Sequence, residues 1–596
     1  MNKKINLHKN IRAFRIHYTI DYLFYVMTVI GMVPILEAVL PFDINSSILS
    51  VIICILLFLL FLLFVFQLRK KKTKFQITKL NLFLLISLAF SLLVNFYSRV
   101  CTIIHLNAPI LHDPIAHALW AKSIVNTGEI TYFYSPFLHS ITASLYNLHL
   151  ASIPKLILVV TNLSYFLLPV IISLAALYIT GKRKIAIILF FFFSIASFPL
   201  NLYYTAGKNS LSLGLLVFVI CLYFYYRNNR GSSTYSIFTF GLGLFVLFLT
   251  HYPTFGLFMS FLAPIYIYQT CVKLKRRQVL RVTYSVIPYL VVISICLIWF
   301  LSFKKYDNNP VEIIEGSRDM SFSPDFSQNI LDGIKQTIEY SYSPLLPYLQ
   351  GWQALILIFL VIPFTDQIKR KEALWISWLL VHGPLLVAFT ILTQFQLLNM
   401  VQKTMQIVMP SYYLTSIVIL IGLIWQKSKN KRMDLLIFSL MTLLLIVVNV
   451  RLAQKIDDAN TRFNPVQQDD LEAFEYIRNN IDSKSIILNN AIKSANRGTI
   501  VFPTDGGMWI PVFTDNPIVF DFAKFSLKQT HKDYDLYQAI KDNEQDDSAY
   551  FNQLDVEYIY LDQAIYARGL HEDDLDNVKY EVIFSQGGTK ILRLTD

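Results

Sequence analysis

Ionisable side chains are gathered in one stretch of the sequence, directly after an apolar segment. His112, Asp113 and His117 come first, and Glu129 and His139 follow. Carboxylate and imidazole groups accept protons from hydroxyls, and both bind divalent cations. Asp113 is the best candidate for a base, because the edge of an apolar segment raises a carboxyl pKa towards neutral pH. The stretch therefore predicts proton transfer or metal binding.

The local pattern also predicts how a helix would hold these groups. Pro114 is typical of a helix's first turn, so Asp113 is expected at the N-cap and His117 four residues later on the same face. Aspartate before proline is also among the commonest helix caps, which leaves a purely structural role open. The position of the stretch favours function, since ionisable groups at the edge of a membrane span are costly unless they are used.

The composition places the chain in a membrane. Hydrophobic residues make up 55% of the 596 residues, and the mean hydropathy is +0.48, which is too apolar for a soluble protein of this size. The net charge of +12 comes from short basic clusters between apolar runs, a pattern typical of cytoplasmic loops, so no nucleic-acid partner is expected. The five cysteines lie in or beside apolar runs, so the sequence predicts neither a disulfide framework nor a CxxC metal site.

Apolar runs alternate with basic loops along the chain. Each run has close to the ~20 residues that a helix needs to cross a bilayer. The first run lacks the short core and cleavage site of a signal peptide, so we predict a transmembrane helix there. Every dense basic cluster falls on one side if the chain has about thirteen spans, a cytoplasmic N-terminus and an outer C-terminus. The predicted spans are 18–40, 48–66, 80–97, 155–179, 185–202, 211–226, 235–250, 254–272 and 282–303, and further spans follow until residue 451.

The chain divides into three predicted parts. Residues 1–79 form an N-terminal transmembrane hairpin, and residues 80–454 form a transmembrane module with large outer loops at 98–154 and 304–350. In residues 455–596 acidic side chains outnumber basic ones and no run is long enough to span a membrane. Alternating and buried-strand patterns there predict a small α/β domain on the outer face.

This arrangement of spans and loops, together with three motifs, resembles the GT-C superfamily of membrane glycosyltransferases. The motifs are Asp113-Pro114-Ile115-Ala116-His117-Ala118-Leu119-Trp120, Tyr134-Ser135-Pro136-Phe137-Leu138-His139 and Asp505-Gly506-Gly507-Met508-Trp509-Ile510-Pro511. They are similar to motifs of uncharacterised bacterial members of the superfamily. The resemblance implies a polytopic helical fold in a bacterial cell membrane, with an acidic catalytic residue and two membrane-parallel helices in the first outer loop.

The same resemblance implies an activity and its partners. A sugar would be transferred, with inversion, from a polyprenyl-phosphate donor to a glycan, lipid-linked glycan or protein acceptor of the cell envelope. Asp113 would act as base or metal ligand, and His112, His117, Glu129 and His139 would bind the acceptor or, in the case of His117, a metal. Lys208, His251 and Lys403 would hold the phosphate, and Asp505 and Trp509 would contact substrate from the outer domain.

Structural roles remain open for the same residues. A basic residue at a span end often only reaches the lipid headgroups, Gly506-Gly507 is typical of any tight turn, and a tryptophan such as Trp509 is commonly a core residue. The single aspartate, where many GT-C enzymes have paired acids, leaves it open whether a divalent cation (Mg²⁺ or Mn²⁺) takes part. The alternative functions are a catalytically degenerate binding or scaffold subunit, and a flippase or polymerase of lipid-linked saccharides.

Overall fold

The chain is described by a computed structural model in most of its N-terminal half and near its C-terminus. The described residues are 19–35, 53–59, 79–101, 106–109, 113–130, 134–180, 182–195, 209–230, 234–252, 431–463, 466–493, 501–503, 506–520, 528–541, 548–562, 570–575 and 578–595, with scattered positions at 62, within 254–259, within 286–299 and at 425.

Helices dominate this part of the chain. In chain order they are α1 (Thr19–Ile35), α2 (Lys79–Arg99), α3 (Asp113–Thr127), α4 (Phe137–Asn147), α5 (Ile153–Thr180), α6 (Arg183–Ile195), α7 (Asn209–Arg230), α8 (Thr234–Thr250), α9 (Lys431–Phe463), α10 (Gln468–Asn480), α11 (Ile510–Thr514), α12 (Lys528–Lys541) and α13 (Ser548–Leu554). The strands are β1 (Ile487–Leu488), β2 (Ala491–Lys493), β3 (Val501–Pro503), β4 (Tyr558–Leu561), β5 (Tyr580–Gln586) and β6 (Thr589–Leu594).

Three described helices are long and apolar enough to cross a membrane, namely Ile153–Tyr178, Asn209–Asn228 and Met433–Arg451. They lie within α5, α7 and α9. Most of α7 is buried whereas most of α9 is exposed, so α7 lies at the centre of the bundle and α9 at its periphery. Helices α1, α2, α5, α6, α7 and α8 overlap predicted spans, and the predicted total of about thirteen spans remains a prediction.

A buried ion pair fastens α1 to the centre of the bundle. The Arg227 guanidinium donates to both carboxylate oxygens of Asp21, at 2.7 and 2.8 Å, and Tyr235 donates its hydroxyl to the same carboxylate. A buried charge is tolerated only when it is paired and hydrogen-bonded, so these contacts fix one end of α1 against α7 and α8.

The other end of α1 supports α4. Gly31 lies directly beneath Phe137, since a Cβ at position 31 would collide with the Phe137 ring. About two helical turns further along α4, the Ser144 hydroxyl donates to the Ile30 carbonyl at 2.7 Å. The absence of a side chain at Gly31 therefore allows α1 and α4 to pack closely.

The predicted first outer loop contains two helices, α3 and α4. Helix α3 begins at Asp113 with Pro114 in its first turn, where the missing N–H of proline costs nothing. Gly128, with a φ of 70°, ends this segment, since a left-handed residue after a helix favours glycine. The contacts of α3 are with α4 and α5 on one side and with α11 on the other.

Residues 466–595, called the C-terminal unit below, form a sheet covered by helices. The strand order is β1-β4-β6-β5, with β1 and β4 parallel and the remaining pairs antiparallel. The hairpin of β5 and β6 turns at Gly587, which has a φ of 55°. The helix predicted at 471–481, the strand predicted at 558–561 and the hairpin predicted around residues 587 and 588 are confirmed. The outer position of this unit remains a prediction.

Helix α9 crosses the transition from the bundle to the C-terminal unit. It runs for 33 residues, from Lys431 to Phe463, through the predicted boundary between residues 454 and 455. The division of the chain into three parts remains a prediction, because a helix can continue through the change from apolar to polar composition where it leaves the bilayer. The last described helix of the bundle therefore projects beyond the predicted span.

Candidate functional site

The two histidines of the first outer loop form a buried pair. His117 Nδ1 lies 2.7 Å from His139 Nε2, and both rings are buried. His117 is on α3 and His139 on α4, and the contact between these two short helices brings them together. One nitrogen of this contact carries a proton and the other accepts it, so a single proton lies between the two rings.

Two aromatic rings complete the surroundings of the histidine pair. The Trp120 and Tyr134 rings stack with their centroids 5.2 Å apart. The His117 ring lies edge-on to both, at 5.7 and 5.4 Å, and Trp120 lies 5.2 Å from the His139 ring. We call these four residues, His117, Trp120, Tyr134 and His139, the aromatic-histidine cluster. Such packing fixes the orientation of each ring.

Burial determines the protonation state of His139. Burial lowers the pKa of His139 well below its ordinary value, and the neighbouring His117 lowers this pKa further. The His139 imidazole is therefore neutral at physiological pH. A neutral imidazole has one N–H donor and one nitrogen acceptor. His139 Nε2 can therefore either donate to His117 Nδ1 or accept from it.

Hydroxyl groups connect this cluster to the helical bundle. The Tyr134 hydroxyl lies 3.1 Å from the Ser210 hydroxyl in the first turn of α7. The next residue, Ser135, accepts a hydrogen bond from the Tyr252 amide at 3.0 Å, and the Trp299 indole donates to the Tyr252 hydroxyl at 3.1 Å. The segment before α4 is therefore attached to the N-terminal end of α7 and to the turn that follows α8.

His251 lies in that same turn and is buried. Its Nδ1 lies 2.6 Å from the Thr254 hydroxyl, and the Thr254 amide also donates to this nitrogen at 3.3 Å. Gly214 of α7 makes room for the turn, since a Cβ there would lie 2.9 Å from the His251 Cβ. The structure thus brings His251 to the side of α7 whose first turn contacts Tyr134.

The remaining predicted residues differ in what the structure describes of them. The backbone of Asp113 begins α3, four residues before His117, and its side chain is outside the described part. Glu129 is described and is exposed at the end of α3. His112, Lys208, Lys403 and Asp505 lie outside the described residues. Asp113 and these four residues keep their predicted roles as predictions.

Trp509 occupies a core position. Its side chain is fully buried, in a cluster that joins the C-terminal unit to α3. The Phe513 ring packs against it in an edge-on geometry, with centroids 6.4 Å apart. A sugar-stacking platform needs an exposed ring face, and Trp509 offers none in this structure. Hydrophobic burial explains why a tryptophan is found here.

A metal site would need more ligands than the described residues provide. No group of three or more His, Cys, Asp or Glu side chains with metal-binding spacing occurs in the described part of the chain. The His117 and His139 imidazoles are directed at each other at hydrogen-bond distance, and Mg²⁺ or Mn²⁺ prefers oxygen ligands. The described donor set does not fit either ion, so no mechanistic step is assigned to a metal.

Three polar residues near the site were not identified from the sequence. Lys122 of α3 contacts α11, and Ser210 meets Tyr134 across 76 residues of sequence. Arg99 is buried at the end of α2, where it donates to the carbonyls of Tyr165, Phe193 and Ser194. Of the three, only Arg99 could have been identified from the sequence, because it is a basic residue at the predicted outer end of the span 80–97.

Comparisons with known proteins identify the fold. No protein-family model matches the sequence, and no curated protein sequence matches it. The structure is similar to ArnT from Cupriavidus metallidurans in the apo state, with a TM-score of 0.51, 13% identity and coverage of 86% of this chain and 98% of ArnT. ArnT bound to undecaprenyl phosphate matches with the same TM-score at 12% identity, over 86% of this chain and 97% of ArnT. An oligosaccharyltransferase from Archaeoglobus fulgidus matches with a TM-score of 0.42 and 11% identity, over 80% of this chain and 69% of that protein.

Proposed function

We propose that this chain, which has the fold of the GT-C superfamily, is a membrane glycosyltransferase that uses a polyprenyl-phosphate-linked sugar as donor. The acceptor is a glycan, a lipid-linked glycan or a protein of the cell envelope. The likeness to ArnT, which has been solved with undecaprenyl phosphate, supports a polyprenyl-phosphate partner. The observation that carries the proposal is the buried His117–His139 pair, which follows Asp113 in the loop where this superfamily has its catalytic acid.

The reaction is a single displacement at the anomeric carbon. The acceptor hydroxyl forms a bond to that carbon while the bond from carbon to the phosphate oxygen breaks, so the configuration inverts. Asp113 accepts the hydroxyl proton, and the phosphate leaves with the bonding electron pair. Base catalysis of this kind typically contributes 10²- to 10⁴-fold. His117, held by His139, positions the acceptor through a hydrogen bond.

The departing phosphate needs positive charge or hydrogen-bond donors. His251 is buried beside α7, and Ser210 in the first turn of α7 contacts the aromatic-histidine cluster. Lys208 directly precedes α7, and together with Lys403 it completes the proposed phosphate-binding set. The N-terminus of α7 adds a favourable dipole for an anion.

The contacts between helix ends support the proposed topology, with the N-terminus in the cytoplasm. Asp21 with Arg227 and Lys184 with Asp434 pair residues that the sequence assigns to cytoplasmic ends. The Ser98 hydroxyl donates to Asn449 at 2.6 Å, and both residues belong to ends assigned to the outer face. These pairs agree with the alternation inferred from the basic loops. The first outer loop and the C-terminal unit then share the outer face of a bacterial cell membrane.

The test is sugar transfer by the purified protein in detergent. Radiolabelled polyprenyl-phosphate sugars are supplied with cell-envelope extract, and labelled product is separated from donor. We expect time-dependent transfer from at least one donor. Saturable binding of polyprenyl phosphate without transfer from any donor would contradict the enzyme and favour the scaffold or flippase. Transfer from a soluble nucleotide sugar, with none from a lipid-linked donor, would contradict the proposed donor class.

A further inference from the structure

The short helix α11 ends with its carbonyl groups bound by two cations. Lys122 Nζ of α3 donates to the Pro511 and Val512 carbonyls at 2.7 and 2.9 Å. Arg478 of α10 donates to the Phe513 carbonyl. The last carbonyls of a helix have no partners within the helix and carry partial negative charge, so cations are favoured there. One of the two cations comes from the helix that bears His117.

Lys122 has a third oxygen partner just past α11. Its ammonium lies 2.6 Å from a carboxylate oxygen of Asp515, a residue held in the left-handed region with a φ of 75°. The Lys122 side chain is only 15% exposed, whereas that of Asp515 is 63% exposed. An ion pair with so exposed a partner contributes little by itself. The two carbonyl bonds to a mostly buried ammonium are therefore the stronger part of the contact.

Apolar side chains surround this polar contact. Trp509 is fully buried between the C-terminal unit and α3 and belongs to the same cluster as the apolar residues of α3. Those that α3 contributes are Ile115, Ala118 and Ala121, and those that the 506–512 segment contributes are Met508, Trp509, Ile510 and Val512. The small alanines allow close approach, and α3 packs against the C-terminal unit through this shared cluster.

Helix α3 therefore has two occupied faces. Ile115, Ala118 and Lys122 follow the helical spacing of three and four residues, and this face meets α11. His117 and Trp120 lie on the other face, within the aromatic-histidine cluster. Rotation of α3 that broke the first contact would move the His117 ring relative to His139. The orientation of His117 is thus tied to the C-terminal unit through a single helix.

We propose that Lys122 is a positioning residue, through which the C-terminal unit holds α3 in the orientation that the His117–His139 pair requires. The described part of the motif, residues 506–511, then serves as a docking segment for α3. Gly506 and Gly507 are buried, and the Gly506 amide donates to the carboxylate of Asp562, the residue that follows β4, at 3.0 Å. The catalytic consequence rests on the proposed glycosyltransferase function, whereas the docking itself does not.

Docking is tested by hydrogen–deuterium exchange of the full-length protein in detergent. Lys122→Met keeps the aliphatic stem and removes the charge, and we expect amides of residues 113–127 to exchange about tenfold faster as α3 opens locally. Lys155→Met is the matched control, since Lys155 is also partly buried and donates to one carbonyl, that of Leu106, at 2.8 Å. Unchanged exchange of residues 113–127 in Lys122→Met would overturn the proposal, as would equal acceleration in the control.

The catalytic consequence is measured in the same purified variants. We expect Lys122→Met to lower kcat with little change in the donor KM, because none of the proposed phosphate-binding residues belongs to α3. Lys122→Arg keeps the charge and the donors and should recover a large part of kcat. Loss of kcat without recovery by arginine, or a change in KM alone, would contradict a positioning role. If the wild-type protein transfers no sugar, the exchange experiment still decides whether α3 is docked by Lys122.

Discussion

His117 Nδ1 lies 2.7 Å from His139 Nε2, so two imidazoles from different helices share one hydrogen bond in a buried site. The rings of Trp120 and Tyr134 pack around them and restrict their rotation. This contact fixes the angle between α3 and α4 where α3 begins with Asp113. The predictions that follow concern this contact and the elements that hold it.

Removal of one imidazole leaves the other buried without its partner. His139→Phe keeps an aromatic ring but offers no acceptor or donor, so we expect it to lower the free energy of unfolding by about 1–3 kcal/mol. His139→Gln keeps a polar group within reach of His117 and should cost clearly less. Thermal unfolding of both purified variants in one detergent measures the difference. Equal stability of the two variants would contradict a hydrogen-bonded pair.

The lowered pKa of His139 makes stability dependent on pH. In the unfolded chain this histidine takes up a proton near pH 6.5, whereas the folded protein resists protonation until a lower pH. The unfolded state therefore binds more protons in this window, and stability falls as the pH falls below about 6.5.

The measurement is the Tm of the wild-type protein and of His139→Gln at pH 7.5 and pH 5.5. We expect a smaller decrease in the variant, because glutamine does not titrate. Asp470, whose burial raises its pKa, acts in the opposite direction at lower pH and is common to both proteins. A decrease of the same size in both proteins would show that His139 is not the titrating group.

Gly214 allows the turn with His251 to approach α7. Alanine at this position would place its Cβ 2.9 Å from the His251 Cβ, so the turn must move. Overpacking of this kind costs about 1–3 kcal/mol, against a gain of up to about 1 kcal/mol from helix propensity. We expect Gly214→Ala to be less stable and to have a higher donor KM.

Gly243→Ala is the matched control for this substitution. Its Cβ would meet side-chain atoms of Phe224 and Cys221 at 3.0 and 3.2 Å, and a side chain yields more easily than a turn. The donor KM should remain at the wild-type value in this variant. An equal rise of the donor KM in both variants would contradict a specific effect of Gly214→Ala through His251.

Trp509 distinguishes packing from sugar binding. As a core residue it should tolerate Trp509→Phe with a modest loss of stability, whereas Trp509→Ala should cost about 3–5 kcal/mol. The acceptor KM should change only to the extent that the variant loses stability, because the buried indole has no exposed face for a sugar to contact. A stable Trp509→Phe variant with a strongly raised acceptor KM would contradict the core assignment and restore the predicted substrate contact.

Much of the helical framework could be predicted from the sequence, because hydropathy and basic loops act locally. The spans that became α5, α7 and α8 were predicted to within a few residues. The polytopic helical fold was predicted from the order of spans and loops together with three motifs, and the likeness to ArnT agrees with this fold. Helix α9 continues to Phe463, past the span predicted to end near Arg451, since composition marks the edge of the bilayer and not the end of a helix.

The site was predicted only as a set of residue types. His117 and His139 were singled out from their position after a span, but their mutual contact depends on how α3 and α4 fold back on each other. Lys122 carried no signal, because its partners are backbone carbonyls that lie 389 and 390 residues away. Backbone acceptors leave no pattern in a sequence, so a docking residue of this kind is visible only in the structure.

The most direct test of the central claim is sugar transfer under single-turnover conditions by the wild-type protein, Asp113→Asn and Glu475→Gln. Glu475 is an exposed carboxylate on α10 and serves as the control. We predict that Asp113→Asn lowers the rate about 10²-fold or more with unchanged donor binding and yield, and that Glu475→Gln transfers at the wild-type rate. Transfer by Asp113→Asn at the wild-type rate would contradict a catalytic centre in the first outer loop.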